Sequence, residues 1–265
     1  MSQAVSESVS YTIAISKGSA LLNEMKALLR AWIPGEPIKE FSERVVREDV
    51  LGKTTAQRAK DVVRRVFANR FLVPGQAPAK CLHRLLLGSK SGQVFSDLCL
   101  LYSSRNDALL RDVIVSVYWP AVAEGHLFIS PKDVVQFFRQ AEEQGRIPQP
   151  WSEAVKIKVA RGLLRALAEY GLMNEVRRKR EIVHYRPKNE TIVFLAHELH
   201  FKGLSDAALV AHGDWNLFGM KERDVIEAMD HLSVEGWWLT QAAGTVVRVS
   251  WKYNTMEEVL DALAG

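Results

Sequence analysis

Nearly every apolar run in this chain recurs at helical spacing and is opened by a capping side chain or closed by a glycine, which restricts the fold to packed helices. "GSALLNEMKALLRAWI" predicts a first helix capped by Ser16. "PIKEFSERVVREDVLG" predicts a second, stopped by Gly52, and "KTTAQRAKDVVRRVFANRF" a third. Thr54 with Gln57 three residues later forms a capping-box pattern, in which hydroxyl and amide satisfy each other's backbone donors. Further helices are expected in "AKCLHRLLLG", "QVFSDLCLLYSSR", "DALLRDVIVSVYWPAVAE" and "SPKDVVQFFRQAEEQG". Between Ala123 and Pro131, "EGHLFISP" offers a glycine, a short apolar piece and a Ser130 cap with Pro131 in the first turn, so a boundary is expected there.

Composition narrows the class. The chain has 265 residues, 48% hydrophobic and 25% charged, an ordinary globular composition. No apolar run approaches the roughly 18 residues of a membrane span, and "MSQAVSESVS" has no signal-peptide pattern. Cys81 and Cys99 sit in or near apolar segments without metal-ligand spacing, as buried free thiols in a reducing cytoplasm would. The net charge of +4 conceals an asymmetry. Residues 1–125 hold 17 Lys and Arg against 12 Asp and Glu, residues 126–190 hold 13 against 8, and residues 191–265 hold 5 against 11. The first two segments therefore favour a polyanionic partner, and the last does not.

Residues 37–71 have the helix, glycine turn, capped helix order of a helix-turn-helix. On a helical wheel Ala56, Ala59, Val62, Val63, Val66 and Phe67 share one arc of the third helix. Gln57, Arg58, Lys60, Arg64 and Arg65 share the other with Asp61, and Lys53 stands just ahead. Guanidinium and amide groups on such a face suit phosphates and base edges.

A second basic element lies at residues 126–190. "WSEAVKIKVARGLLRALAEYGLM" starts at the cap Ser152 and ends at Gly171. Its expected buried arc is Ile157, Ala160, Leu163, Leu164 and Leu167, and Lys158, Arg161 and Arg165 form a narrow basic stripe. "NEVRRKREIVHYRP" then sets Arg177, Arg178, Lys179 and Arg180 in a row before Ile182, His184 and Arg186 alternate with Val183 and Tyr185. Four adjacent cations either occupy a solvated turn or await an anion. The order helix, helix, basic hairpin favours a winged-helix-like unit, with the stripe toward a major groove and the cations forming a wing over phosphates.

The run from "SYTIAISKGSALLNEM" through "REDVLGK" and "RRVFANRF", continued by "LLRDVIVSVYWP" and the Trp-Ser helix ending in "YGLM", resembles the BrxA family of BREX bacteriophage-exclusion systems over roughly residues 10 to 175. The resemblance implies a mostly helical protein with helix-turn-helix elements and a basic surface for double-stranded DNA. It also implies action beside a methyltransferase and other BREX proteins.

Beyond residue 190 the chain reads as another winged-helix-like unit: a helix in "TIVFLAHELHFKG", a capped helix in "GMKERDVIEAMDHLSVEGWW", and a hairpin in "WLTQAAGTVVRVSW" turning at Gly244. Glu222, Asp224, Glu227, Asp230 and Glu235 make it a poor DNA surface, and Trp237 and Trp238 suit a core or an interface. "HELH" at 197–200 falls short of a zinc-protease motif because Phe201 stands where the second histidine belongs. "LLLGSKSGQ" lacks the phosphate-loop order, and no acidic cluster for magnesium is visible.

The expectation is a cytoplasmic, mainly α protein without catalysis, metal or cofactor. It would comprise a helical domain over 1–125 with a helix-turn-helix near 37–71, a basic winged-helix-like unit over 126–190, and an acidic structural or partner-binding unit over 191–265. The alternative is a scaffold or RNA-binding subunit whose basic face meets an acidic protein or RNA.

Overall fold

The computed structural model describes residues 10–88, 92–176, 179–243 and 246–264. The architecture is mainly α with two small antiparallel hairpins. After a 3-10 turn at Ala14–Lys17 come α1 (Leu22–Ala31), α2 (Ile38–Arg47) and α3, which joins Ala56–Asp61, a π-helical stretch Val62–Phe67, and Ala68–Phe71. Next are α4 (Ala77–Leu87), α5 (Gly92–Asn106) and α6, built from Ala108–Val113, a π stretch Ile114–Tyr118, and Trp119–Ala123. Pro120 has no N–H for the carbonyl four residues back, and the wider π turn immediately before it accommodates that loss.

Then follow α7 (Pro131–Glu143), α8 (Glu153–Glu169), the hairpin β1 (Met173–Val176) and β2 (Lys179–Ile182), and α9 (Asn189–Phe201). The remainder is α10 (Asp206–Val210), a 3-10 turn Gly213–Phe218, α11 (Glu222–Val234), the hairpin β3 (Trp238–Ala243) and β4 (Val246–Trp251), and α12 (Met256–Ala264). Buried side chains from all three charge segments form one apolar cluster, running from Tyr11 and Leu28 through Phe95 and Leu163 to Trp215 and Leu260.

Several local expectations shift. Ser16 does not cap α1, which begins at Leu22. Its entry residue Leu21 is left-handed (φ 52°), and the Leu21 N–H is met at 2.8 Å by Glu169 from α8. A distant carboxylate thus replaces the local hydroxyl. The cap of α3 is Thr55 rather than Thr54, with its hydroxyl accepting the Arg58 N–H at 3.2 Å, and the Gln57 amide turns to Asp61. Ala56 is exposed, while Ala59, Val62, Val63, Val66 and Phe67 are buried as the wheel predicts. The β ladder ends at Ile182, although His184 and Arg186 remain exposed around the buried Tyr185. Arg177, Arg178, Gly244 and residues 89–91 of the "LLLGSKSGQ" stretch lie outside the described residues.

Candidate nucleic-acid interface

Two helices and a hairpin form the basic unit. α7 opens with the Asp133 carboxylate accepting both the Ser130 N–H and its hydroxyl at 2.7 Å, and Pro131 fills the first turn. The far end of α7 is tied to the start of α8 by Glu142, which accepts the Trp151 N–H at 3.0 Å and lies 2.8 Å from the Lys156 ammonium. Ser152 caps α8 through the Val155 N–H. The Phe138 and Trp151 rings pack edge to face at 5.4 Å across the turn.

Lys156, not Ile157, occupies the buried side of α8. Lys156 is 6% exposed and Ile157 39%. An unpaired ammonium there would cost several kcal/mol; bonds to Glu142 and Glu153 offset that cost and let the aliphatic stem pack inward. The hydrogen bond to Glu142 raises the Lys156 pKa, and the same bond lowers that of Glu142. The rest of the arc, Ala160, Leu163, Leu164 and Leu167, is buried.

On the other face Lys158, Arg161 and Arg165 are exposed at spacings of three and four. Arg165 pairs with Glu169 at 2.8 Å. Among the described residues Lys158 and Arg161 have no ion-pair partner.

Gly171 (φ 89°) turns the chain into β1. Met173 pairs with Ile182 and Val176 with Lys179. A short segment preceding α7 joins this ladder: Phe128 bridges to Glu181, and the Ile182 N–H donates to the Leu127 carbonyl at 2.9 Å. The Tyr118 hydroxyl from α6 meets the Leu172 and Val183 carbonyls at the hairpin base. Arg180 lies 3.8 Å from Glu175 across the ladder, and its Nε is buried without a hydrogen-bond partner.

The α3 face is more internally engaged. Lys53 is 2.6 Å from Glu24 on α1, Arg64 Nε donates to Ser42 Oγ on α2 at 2.8 Å, and Arg65 and Gln57 both reach Asp61. Arg58 is exposed and Lys60 half-buried.

What joins the two basic helices was not visible in the sequence. Arg70 at the end of α3 donates to the carbonyls of Gly18, Ser19 and Ala20 at 2.7–2.9 Å. Glu169 at the end of α8 accepts from Ser19 Oγ and the Leu21 N–H, both at 2.8 Å. α3 and α8 therefore converge on residues 18–21. Gly18 admits little more there, since an added Cβ would stand 2.9 Å from Leu21 Cδ1 and 3.1 Å from Val66 Cγ2.

Two buried polar joints attach the C-terminal part. Asp97 accepts from Gln93, Tyr185 and Thr191, and burial raises its pKa despite these bonds. Arg105 binds both Glu198 and Asp214, and Tyr102 also donates to Glu198. Burial pushes the Glu198 carboxyl up, but the Arg105 hydrogen bonds and charge outweigh it and hold the group below its ordinary value.

The "HELH" histidines are occupied otherwise. His197 is fully buried, with Nδ1 2.8 Å from the Val193 carbonyl, and His200 stacks on Trp251 at 4.3 Å. No group of three or more His, Cys, Asp or Glu among the described residues could hold a metal ion. Cys99 is buried and Cys81 partly so; burial raises the pKa of both thiols, that of Cys81 to about 11. Trp238 is buried with Nε1 donating to the Met229 carbonyl, and Trp237 is half-buried against Tyr253. No helix among the described residues is long and apolar enough to cross a membrane.

Comparison with known proteins agrees with this architecture. A crystal structure of an uncharacterized protein from Magnetospirillum magneticum superposes with a TM-score of 0.57 at 18% identity, covering 72% of this chain and 94% of that one. That likeness is one of fold. No curated protein matches the chain. The BrxA family model matches residues 9–198, from ahead of α1 into α9, and so takes in both basic helices, the first hairpin and the Asp97 joint. With that span matched, the chain belongs to the BrxA family and is a component of a BREX phage-defence system.

Proposed function

We propose that the protein is a non-catalytic subunit that holds double-stranded DNA for the BREX system through backbone phosphates, working in the cytoplasm beside a methyltransferase and other BREX proteins. The observation that carries this reading is the outer face of α8. Lys158 and Arg161 lie about one turn apart, exposed and without an ion-pair partner among the described residues, while Lys156 and Arg165 on the same helix are paired.

The surrounding order supports it. α6, the Phe128 segment, α7, α8 and the β1–β2 hairpin follow one another as the parts of a winged helix do. In such a unit α8 enters the major groove and residues 177–180 cover the neighbouring phosphates. On α3, Arg58 and Arg65 extend the basic surface in the manner of a helix-turn-helix. Lys and Arg contacts of this kind neutralise phosphates and release counterions, so binding is largely indifferent to sequence.

The test is an electrophoretic titration with duplex DNA, single strand and structured RNA across a salt series. Duplex affinity falling linearly on log-log axes as salt rises is the expected result. Affinity insensitive to salt, or preference for RNA, overturns the reading.

A further inference from the structure

A cleft of about 640 Å³ opens between α4 and α12 and involves none of the proposed DNA contacts. The two helices run side by side in the same direction. The Arg84 guanidinium clasps the Asp261 carboxylate at 2.5–2.7 Å, and beyond it a Cβ on Gly88 would stand 2.8 Å from Ala264 Cβ, so the helices close one end of the cleft by direct contact. Trp32 and Pro34, at the end of α1, line it together with Leu87, Met256 and Leu260.

Two polar groups interrupt this apolar lining. Trp32 is 2% exposed, and its indole N–H has no hydrogen-bond partner. Buried donors in folded proteins are nearly always satisfied, so an orphan on the wall of a cleft marks the place of an acceptor that a ligand can supply. His83 stands edge to face against Trp32, ring centres 6.4 Å apart, with Nδ1 2.7 Å from the Leu29 carbonyl. A carbonyl only accepts, so Nδ1 carries the proton, and Nε2 of the neutral ring is left as an acceptor. Charge around the mouth is balanced: Arg84 is paired with Asp261, and Lys80 and Glu257, both exposed, are of opposite sign.

We propose that this cleft binds a small, uncharged aromatic carboxamide or lactam, its ring between the apolar walls, its carbonyl accepting from Trp32 Nε1–H and its N–H donating to His83 Nε2. A planar amide offers an acceptor and a donor side by side. A carboxylate lacks the donor, and an amine lacks the acceptor. Apolar walls with a few polar groups that fix orientation are the makeup of small-molecule sites, and the volume falls in their range of about 300–1,000 Å³. Water does not reach the indole nitrogen, so the bond forms only as the ligand parts the cleft. Because α12 lies beyond the matched residues 9–198, the site is completed by a helix outside the family match. The inference does not rest on the DNA reading.

Benzamide, titrated into the isotope-labelled full chain and followed by nuclear magnetic resonance, tests it. Of the seven tryptophan indole resonances, that of Trp32, identified by its loss in Trp32→Phe, should move downfield and saturate. Benzoate, an anion without the donor, should bind about tenfold more weakly, and His83→Phe, which keeps a ring but loses the acceptor, should cost benzamide about tenfold. Leu87→Trp adds bulk at a 75% exposed position on the cleft, where the fold tolerates it, and should abolish the shift. A Trp32 resonance that does not move, benzoate binding as well as benzamide, or an unaltered response in Leu87→Trp overturns the inference. Where Trp32→Phe or His83→Phe does not fold, the benzoate comparison and Leu87→Trp decide.

Discussion

Glu142 and Lys156 are bonded at 2.8 Å across the turn between α7 and α8, so the helix that presents Lys158 and Arg161 is oriented by an ion pair on its opposite side. Lys156 is nearly inaccessible to solvent, and Glu142 also holds the Trp151 N–H. Glu142→Ala leaves the buried Lys156 ammonium to Glu153 at 3.3 Å and strands the Trp151 N–H, and should destabilise the fold by about 2 kcal/mol. Lys156→Met, which fills the same apolar site without the charge, should cost less. Denaturant midpoints of the two variants check the order.

The α8 stripe and the α3 face should separate by mutation. Lys158→Ala with Arg161→Ala should weaken duplex binding and lower the log-log salt slope by about one unit per lost phosphate contact, with an unchanged thermal midpoint. Replacing Arg58, Arg64 and Arg65 by alanine should also weaken binding, but with a small loss of stability, because Arg64 is bonded to Ser42 on α2. Salt-series titration alongside thermal melts distinguishes the two patterns.

In the proposed wing Arg177, Arg178, Lys179 and Arg180 meet phosphates, the last two standing at the start of β2. Arg177, Arg178, Lys179 and Arg180 changed to glutamine should bind duplex more weakly at low salt and converge on the parent at high salt; glutamates should cost more. A glutamine variant with the parent's affinity and slope would mark these cations as a solvated turn.

Burial lowers the His197 pKa from 6.5 to about 4. Between those values the unfolded chain takes up a proton that the folded chain refuses, so stability is complete above about 6.5 and falls as the pH drops toward 4. The full loss is about 3 kcal/mol. His200, also lowered by burial, adds to the loss with the same sign. His197→Gln should flatten the melting temperature across this window, as a pH series of thermal melts would show.

Gly219 sits at φ 68°, and a Cβ there would come 2.6 Å from the Trp119 ring, which donates to the Leu217 carbonyl. Gly219→Ala should destabilise by about 2 kcal/mol or more, through left-handed backbone strain and displacement of the indole. Calorimetry on this variant beside Gly203→Ala, which meets no atom within 4 Å, separates the clash from the backbone strain.

Local chemistry made much of the molecule legible in the sequence. Period and punctuation marked the helices; Ser130 with Pro131, Ser152 and Gly171 marked ends that the structure keeps. The spaced pattern of residues across the N-terminal two thirds identified the family, and the charge asymmetry was a matter of counting. Tertiary structure decided what depends on partners far along the chain. Glu169 rather than Ser16 meets the entry to α1, Lys156 turns inward because Glu142 awaits it, and Asp97 and Arg105 become joints only once α9 is packed beside α5. A wheel assigns a lysine outward by type. Only an opposing carboxylate, brought close by folding, makes its burial affordable.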